Sequence, residues 1–159
     1  MKLTKKQQLE HKAKELFWKH GFKKVTIDEI CKKANVSRKT FYTFYENKTA
    51  LVLYIFNEVM GEAFGIYERI IESELTFAEK LERIFEYKSK KTEDLSLEFV
   101  ADFYNPESGE ILTLFNATIE KSMSLMREFF RKAQGNGELN PDLSLDYVMW
   151  LMQKSVELC

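Results

Sequence analysis

The side chains best suited to chemistry are gathered in one short run, TIDEICKKANVSRKTFYTFYENK, residues 26–48. Hydroxyls stand at Thr26, Ser37, Thr40 and Thr43, cations at Arg38, Lys39 and Lys48, and a phenol at Tyr42. None of them forms a nucleophile–base set. What they share is the ability to donate hydrogen bonds to anionic oxygens and to base edges, which is the chemistry of duplex DNA binding. Arg38 and Lys39 open a short helix, where a long cationic side chain reaches guanine O6 and N7. Such a contact discriminates by about 1–3 kcal/mol. Base preference is therefore expected in Arg38, Lys39, Thr40 and Thr43. Thr26, Ser37, Tyr42 and Lys48 are expected to grip the backbone. Phe44, on the edge of the same helix, can touch a sugar or a thymine methyl but cannot donate a hydrogen bond.

Two short helices must hold these groups. Ile27, Ile30, Cys31 and Ala34 fall at i, i+3, i+4 and i+7, one apolar helix face. Thr26 starts that helix as N-cap, and Glu29 completes a capping box. Asn35 ends it, since Asn tolerates the left-handed backbone of a tight turn, and Ser37 caps a second helix two residues later. On that second helix Phe41 and Tyr45 point one way while Lys39, Tyr42, Thr43 and Glu46 point the other. One side packs and the other is offered. An αα-hairpin in any bundle would show the same apolar face, but charge separates the alternatives. Residues 1–50 hold 13 Lys+Arg against 5 Asp+Glu, and residues 51–159 hold 11 against 20. A basic head on an acidic body is what phosphate neutralisation requires.

The pattern T-I-x-x-I-C-x-x-A-x-V-S-x-x-T-F-Y-x-F-Y-x-x-K-x-x-L resembles the signature of TetR-family transcriptional regulators, over about residues 4–60. The resemblance implies an all-α fold: an N-terminal three-helix helix-turn-helix head over residues 1–47, joined by a long helix to a C-terminal bundle over residues 48–159. It implies a ligand-responsive repressor that binds a pseudo-palindromic operator as a homodimer. The alternative is a DNA-binding architectural or partner-binding protein without an effector. Family members commonly have Gly at the position of Asn35. They commonly have His or Tyr followed by Phe at Phe44-Tyr45, so Phe44 gives up a hydrogen bond to DNA. In the family the N-terminus of the linker helix touches a phosphate, here at Asn47 and Lys48, as expected where backbone N–H groups and the helix dipole favour an anion. A further helix commonly follows the last segment, and this chain is expected either to be a short member or to lack it.

With 45% hydrophobic and 31% charged residues, the chain can bury a substantial core. Only 2 Pro and 6 Gly, with no alternating β-branched runs, predict helices throughout. Residues 4–20, 48–73, 76–91, 95–104, 107–134 and 144–159 carry helical apolar periodicity. In them Phe77, Leu81, Ile84 and Phe85 are expected to face inward, and Lys88, Lys90 and Lys91 to complement a helix C-terminus. His11 and His20 lack a ligand-spaced partner and read as surface residues rather than a metal site. Cys31 reads as structural, unpaired with Cys159. No cofactor is expected. An enzyme is disfavoured, because there is no phosphate-binding loop, nucleophile elbow or metal-binding His pair. No run of about 18 uninterrupted apolar residues and no signal peptide is present, which predicts a cytoplasmic protein. In the resembling family the aromatic-rich body surrounds an effector pocket. Phe64, Tyr67, Phe85, Phe103 and Phe115 are its candidates here, for an aromatic, lipophilic or cationic lipophilic small molecule.

Overall fold

The computed structural model describes residues 3–106 and 108–157, with side chains to residue 154. Among them lie eight helices and no strand: α1 (Lys5–His20), α2 (Ile27–Ala34), α3 (Arg38–Phe44), α4 (Lys48–Glu72), α5 (Phe77–Thr92), α6 (Leu97–Tyr104), α7 (Gly109–Gly135) and α8 (Leu145–Glu157). The expected helix start at Glu107 and the cysteine at Cys159 lie outside the described residues.

Most helices begin where a side chain satisfies the free amides of a first turn. Thr26 and Thr76 form the expected capping boxes with Glu29 and Glu79. Thr4 forms another with Gln7, and Ser37, Asn47 and Ser96 cap α3, α4 and α6. Asn35, at φ 53°, ends α2 in the left-handed region, and the Val36 N–H then bonds the Cys31 carbonyl at 3.0 Å.

Leu9, Phe17, Ile30 and Phe41, each no more than 1% exposed, join α1, α2 and α3. Burying such a side chain stabilises by about 1.5–3 kcal/mol. The packing does not pause at Asn47. The same cluster takes in Leu51, Val52 and Ile55 of α4, Phe99 and Phe103 of α6 and Ile111 of α7. Phe22, between α1 and α2, is the wedge, with its ring 4.9 Å from Phe103 and 6.2 Å from Phe99. A second cluster gathers Ile84, Met126, Phe129, Phe130 and Met149, against which Phe77, Leu81, Ile70, Ile71 and Val148 pack. The helix α4 connects the two. By length and composition it could cross a membrane, yet Leu51, Val52, Ile55, Ala63 and Phe64 along it are buried within the protein.

One residue expected in the core faces out. Phe85 is 58% exposed: Phe77, Leu81 and Ile84 form a stripe against α4 and α7, and one further residue turns Phe85 about 100° away from it. Apart from any such expectation, Leu112 on α7, Leu151 on α8 and Leu97, Val100 and Tyr104 of α6 are apolar side chains open to solvent. Lys88 departs the other way. It is half-buried on the inner stripe of α5, and this desolvation holds its ammonium below the usual lysine range.

Candidate nucleic-acid interface

Within the head, α3 is held by its buried Phe41, with Tyr45 closing it as a buried C-cap. The Tyr45 hydroxyl donates to Glu10 of α1, and its ring packs 5.6 Å from Tyr54 of α4. The reader is thus fastened at both neighbours. Its opposite side presents Arg38, Lys39, Tyr42, Thr43 and Phe44, all exposed, with Thr40 half-buried.

Hydrogen bonding sorts these residues further. Lys39 has no carboxylate partner among the described residues. The Arg38 guanidinium meets Asp28 of α2 at 3.3 Å, an exposed pair. The Tyr42 hydroxyl, and then the Asp28 charge, hold that guanidinium still more firmly protonated. Tyr42 stands edge-on to Phe41 with 49% of its surface exposed, its ring steered by the core behind it. The Thr43 hydroxyl donates to the Thr40 carbonyl at 2.6 Å, which leaves its methyl group as the outward feature. Ser37 accepts the Thr40 N–H at 3.0 Å, and the two hydroxyls lie 2.9 Å apart.

Two of the expected backbone-gripping residues are occupied by the protein itself. The Thr26 hydroxyl donates to Glu29 at 2.8 Å while its N–H donates to the same carboxylate at 2.7 Å. That amide, followed by the hydroxyl, holds Glu29 below the usual carboxylate range. Lys48, half-buried, donates to the carbonyls of Lys23 and Val25, both at 2.9 Å. Two of its three N–H groups therefore bind the α1–α2 loop, and one remains for an outside acceptor. Gly21, at φ 74°, ends α1 and opens this loop.

The other side of that loop is fastened to α6, an attachment that no local sequence pattern signals. Asp102, the one buried charged residue among those described, accepts the Lys23 N–H at 2.9 Å. Lys23 Nζ donates to the Asn105 carbonyl, and the Ser96 N–H donates to the Trp18 carbonyl at 2.9 Å. A Cβ at Gly21 would stand 2.6 Å from Asp102 Oδ2. Only a residue without a side chain lets this carboxylate in.

The five aromatic candidates for an effector site do not come together. Phe103 and Phe115 stack at 5.5 Å within the first cluster, and Phe64 and Tyr67 meet at 6.5 Å farther along α4. Phe85 faces solvent. Burial pushes the Tyr67 phenol up to about 12. Depressions of ≈ 460 and ≈ 330 Å³ flank α1 instead, lined by His11 and Lys14 with Trp18 or Tyr54, and neither includes any of the five. No group of three or more metal-ligating side chains occurs among the described residues.

Residues 11–55 match the profile of bacterial regulatory proteins, tetR family. The HTH-type transcriptional regulator YhgD of Bacillus subtilis (strain 168) is 31% identical over 113 residues, which cover 69% of this chain and 57% of that relative. Among solved structures, the fatty acid degradation regulator FadR from Bacillus halodurans superposes with a TM-score of 0.77 at 19% identity, covering 98% of this chain and 82% of that one. FadR from Bacillus subtilis, in complex with stearoyl-CoA, superposes with a TM-score of 0.73 at 19% identity, covering 94% and 81%.

Proposed function

Because this chain belongs to the TetR family of bacterial regulatory proteins, we propose that it is a ligand-responsive repressor that binds a pseudo-palindromic operator as a homodimer. The single observation that carries the reading is α3. It is fixed from behind by Phe41 and Tyr45, and its Arg38, Lys39, Tyr42 and Thr43 face outward from a segment, residues 1–50, with a surplus of 8 positive charges. One seven-residue helix touches few bases, so specificity calls for two copies related by a two-fold axis, about 34–36 Å or more apart. The exposed Tyr147, Trp150 and Leu151 of α8, between 53% and 59% accessible, supply an apolar face suited to a twin. The acidic body stays clear of the phosphates, and the working compartment is the cytoplasm, where the operator lies.

Lys39 and Arg38 read bases in this account, while Ser37, Tyr42 and the remaining N–H of Lys48 meet the backbone. Thr26 acts through its cap rather than by direct contact. Residues 1–47 are the reading part and residues 48–159 the sensing and pairing part. The link between them is the loop at Gly21–Lys23, held by Lys48 from α4 and by Asp102 from α6. An effector that shifts α4 or α6 moves the head through those bonds. The stearoyl-CoA bound by the Bacillus subtilis neighbour supports an amphiphilic effector here. Enrichment of bound duplexes from a random pool, with sedimentation of the resulting complex, tests the reading. A two-fold motif bound by an even number of chains supports it, and absence of enrichment opposes it.

A further inference from the structure

The offered face of α3 has a neighbour that comes from another helix. Asp28, in the first turn of α2, is exposed and lies 3.3 Å from the Arg38 guanidinium at the start of α3. The Tyr42 hydroxyl accepts from the same guanidinium. Asp28, Arg38 and Tyr42 therefore form one edge of the face, and Lys39 with Thr43, four residues apart on the same helix, forms the other. Other acids of the head serve the fold. Glu10 accepts from the Tyr45 hydroxyl, Glu15 pairs with Lys12 at 2.7 Å, and Glu29 accepts the Thr26 N–H at 2.7 Å. A carboxylate in the first turn of α2 complements the helix dipole, but Glu29 already supplies one there. What distinguishes Asp28 is that its bonded partner is a residue of the reader.

A carboxylate at this place weakens the hold on every duplex, because it repels phosphates. One base edge offsets that repulsion. In the major groove guanine presents two acceptors, O6 and N7, and the paired cytosine presents its N4 amine beside that O6. A guanidinium next to a carboxylate is the complementary set, with donors for the purine and an acceptor for the pyrimidine. Over an A·T pair the same carboxylate would meet the thymine O4 or methyl group, neither of which donates a hydrogen bond. Over a reversed pair the amine would face the guanidinium. We propose that Asp28 is a second base-reading residue of this regulator: Arg38 turns from Asp28 onto guanine O6 and N7, and the released carboxylate accepts from the N4 amine of the paired cytosine. The two side chains read one G·C pair together with its orientation. The inference rests on the DNA-reading role of α3 proposed above and adds to it a residue of α2.

The test uses the full chain and begins by locating the base pair. Duplexes are enriched from a random pool by the parent and by Arg38→Ala, and the pair sought is the one at which Arg38→Ala loses information. The parent and Asp28→Ala are then titrated by fluorescence anisotropy against three versions of the enriched site: unmodified, with N4-methylcytosine at that pair in both half-sites, and with A·T in its place. N4-methylation removes the amine hydrogen that faces the groove and leaves the guanine in position. The expected result is that the methyl group weakens the parent by about tenfold or more, as loss of a base contact does, and weakens Asp28→Ala by less than about threefold. On the A·T version Asp28→Ala should bind more tightly than the parent, because no carboxylate then faces the thymine. A ratio taken within one protein is unmoved by a loss of stability that weakens all three duplexes alike, so a merely helix-capping Asp28 leaves the ratios of parent and variant equal. Equal ratios, or an Arg38-dependent position that is not a G·C pair, overturn the proposal and leave the regulator reading standing. A parent that enriches no motif tells against the regulator reading itself and takes the proposal with it.

Discussion

Replacing Gly21 by Ala tests the fastening of the head to the body. At φ 74° and ψ 157° the residue occupies backbone space that is almost closed to L side chains, which costs about 1–3 kcal/mol. The added Cβ would stand 2.6 Å from Asp102 Oδ2 and 3.2 Å from the backbone of Glu98, so α6 or the loop must move, at about 1–3 kcal/mol of overpacking. The two together give a loss of roughly 2–6 kcal/mol from a stability of about 5–15 kcal/mol. For a chain of this size each kcal/mol lowers Tm by about 2–4 °C. Urea unfolding followed by circular dichroism measures the loss, with the m-value as a check on two-state behaviour. Asp102→Ala alone should cost about 1.5–3 kcal/mol, since it strands the Lys23 N–H. The double variant supplies the sharper check. Without Oδ2 the tightest contact is gone, so the two losses should sum to more than the loss in the double variant by about 1 kcal/mol or more. A Gly21→Ala protein within about 0.5 kcal/mol of the parent, or strict additivity in the double variant, would show that Asp102 does not close on Gly21.

Three further outcomes follow from the head. Lys48→Met should lower stability by about 1–3 kcal/mol by removing two bonds to the Lys23 and Val25 carbonyls, and should reduce the salt slope of DNA binding by less than the roughly 0.9 of a full phosphate contact; denaturant melts and binding isotherms at several salt concentrations measure both. Asp28→Asn should leave stability within about 0.5 kcal/mol, because its pair with Arg38 is exposed, yet tighten DNA binding by freeing that guanidinium; unchanged affinity in fluorescence anisotropy would show that Arg38 does not exchange Asp28 for DNA. Glu29 has its folded pKa lowered by the Thr26 N–H, so its stabilisation is present above the ordinary carboxylate pKa and disappears as pH falls through the depressed one; acid titration by circular dichroism should show Glu29→Gln losing less stability than the parent over that range.

Local rules were legible in the sequence because they act within a few residues. The pairs Thr26 with Glu29 and Thr76 with Glu79, the turn at Asn35 and the cap at Ser37 depend on spacings of three or less, and each stands as spacing requires. Periodicity also gave the buried side of α3. It could not show which helix would lie over each face. Ile84 and Phe85 are equally apolar neighbours, and only the placement of α4 and α7 decides that one is buried and the other exposed. For the same reason the five aromatic candidates divide between the first cluster, the middle of α4 and, for Phe85, the solvent. The sequence offers Lys48 to a phosphate and not to the protein, because its acceptors are backbone carbonyls, which any residue carries. Asp102 was invisible as a latch: its partner lies 79 residues away, and the cue is a glycine that also serves as an ordinary helix end.

The most direct test of the central claim is enrichment of duplex DNA from a random pool by the parent protein and by Lys39→Ala, sequenced side by side at one salt concentration. The expected result is a motif with two-fold symmetry for the parent, and for Lys39→Ala the same half-site spacing with information lost at particular base pairs. A parent protein that enriches nothing, or a Lys39→Ala protein that returns the full parental motif, would contradict the assignment of α3 as the reader.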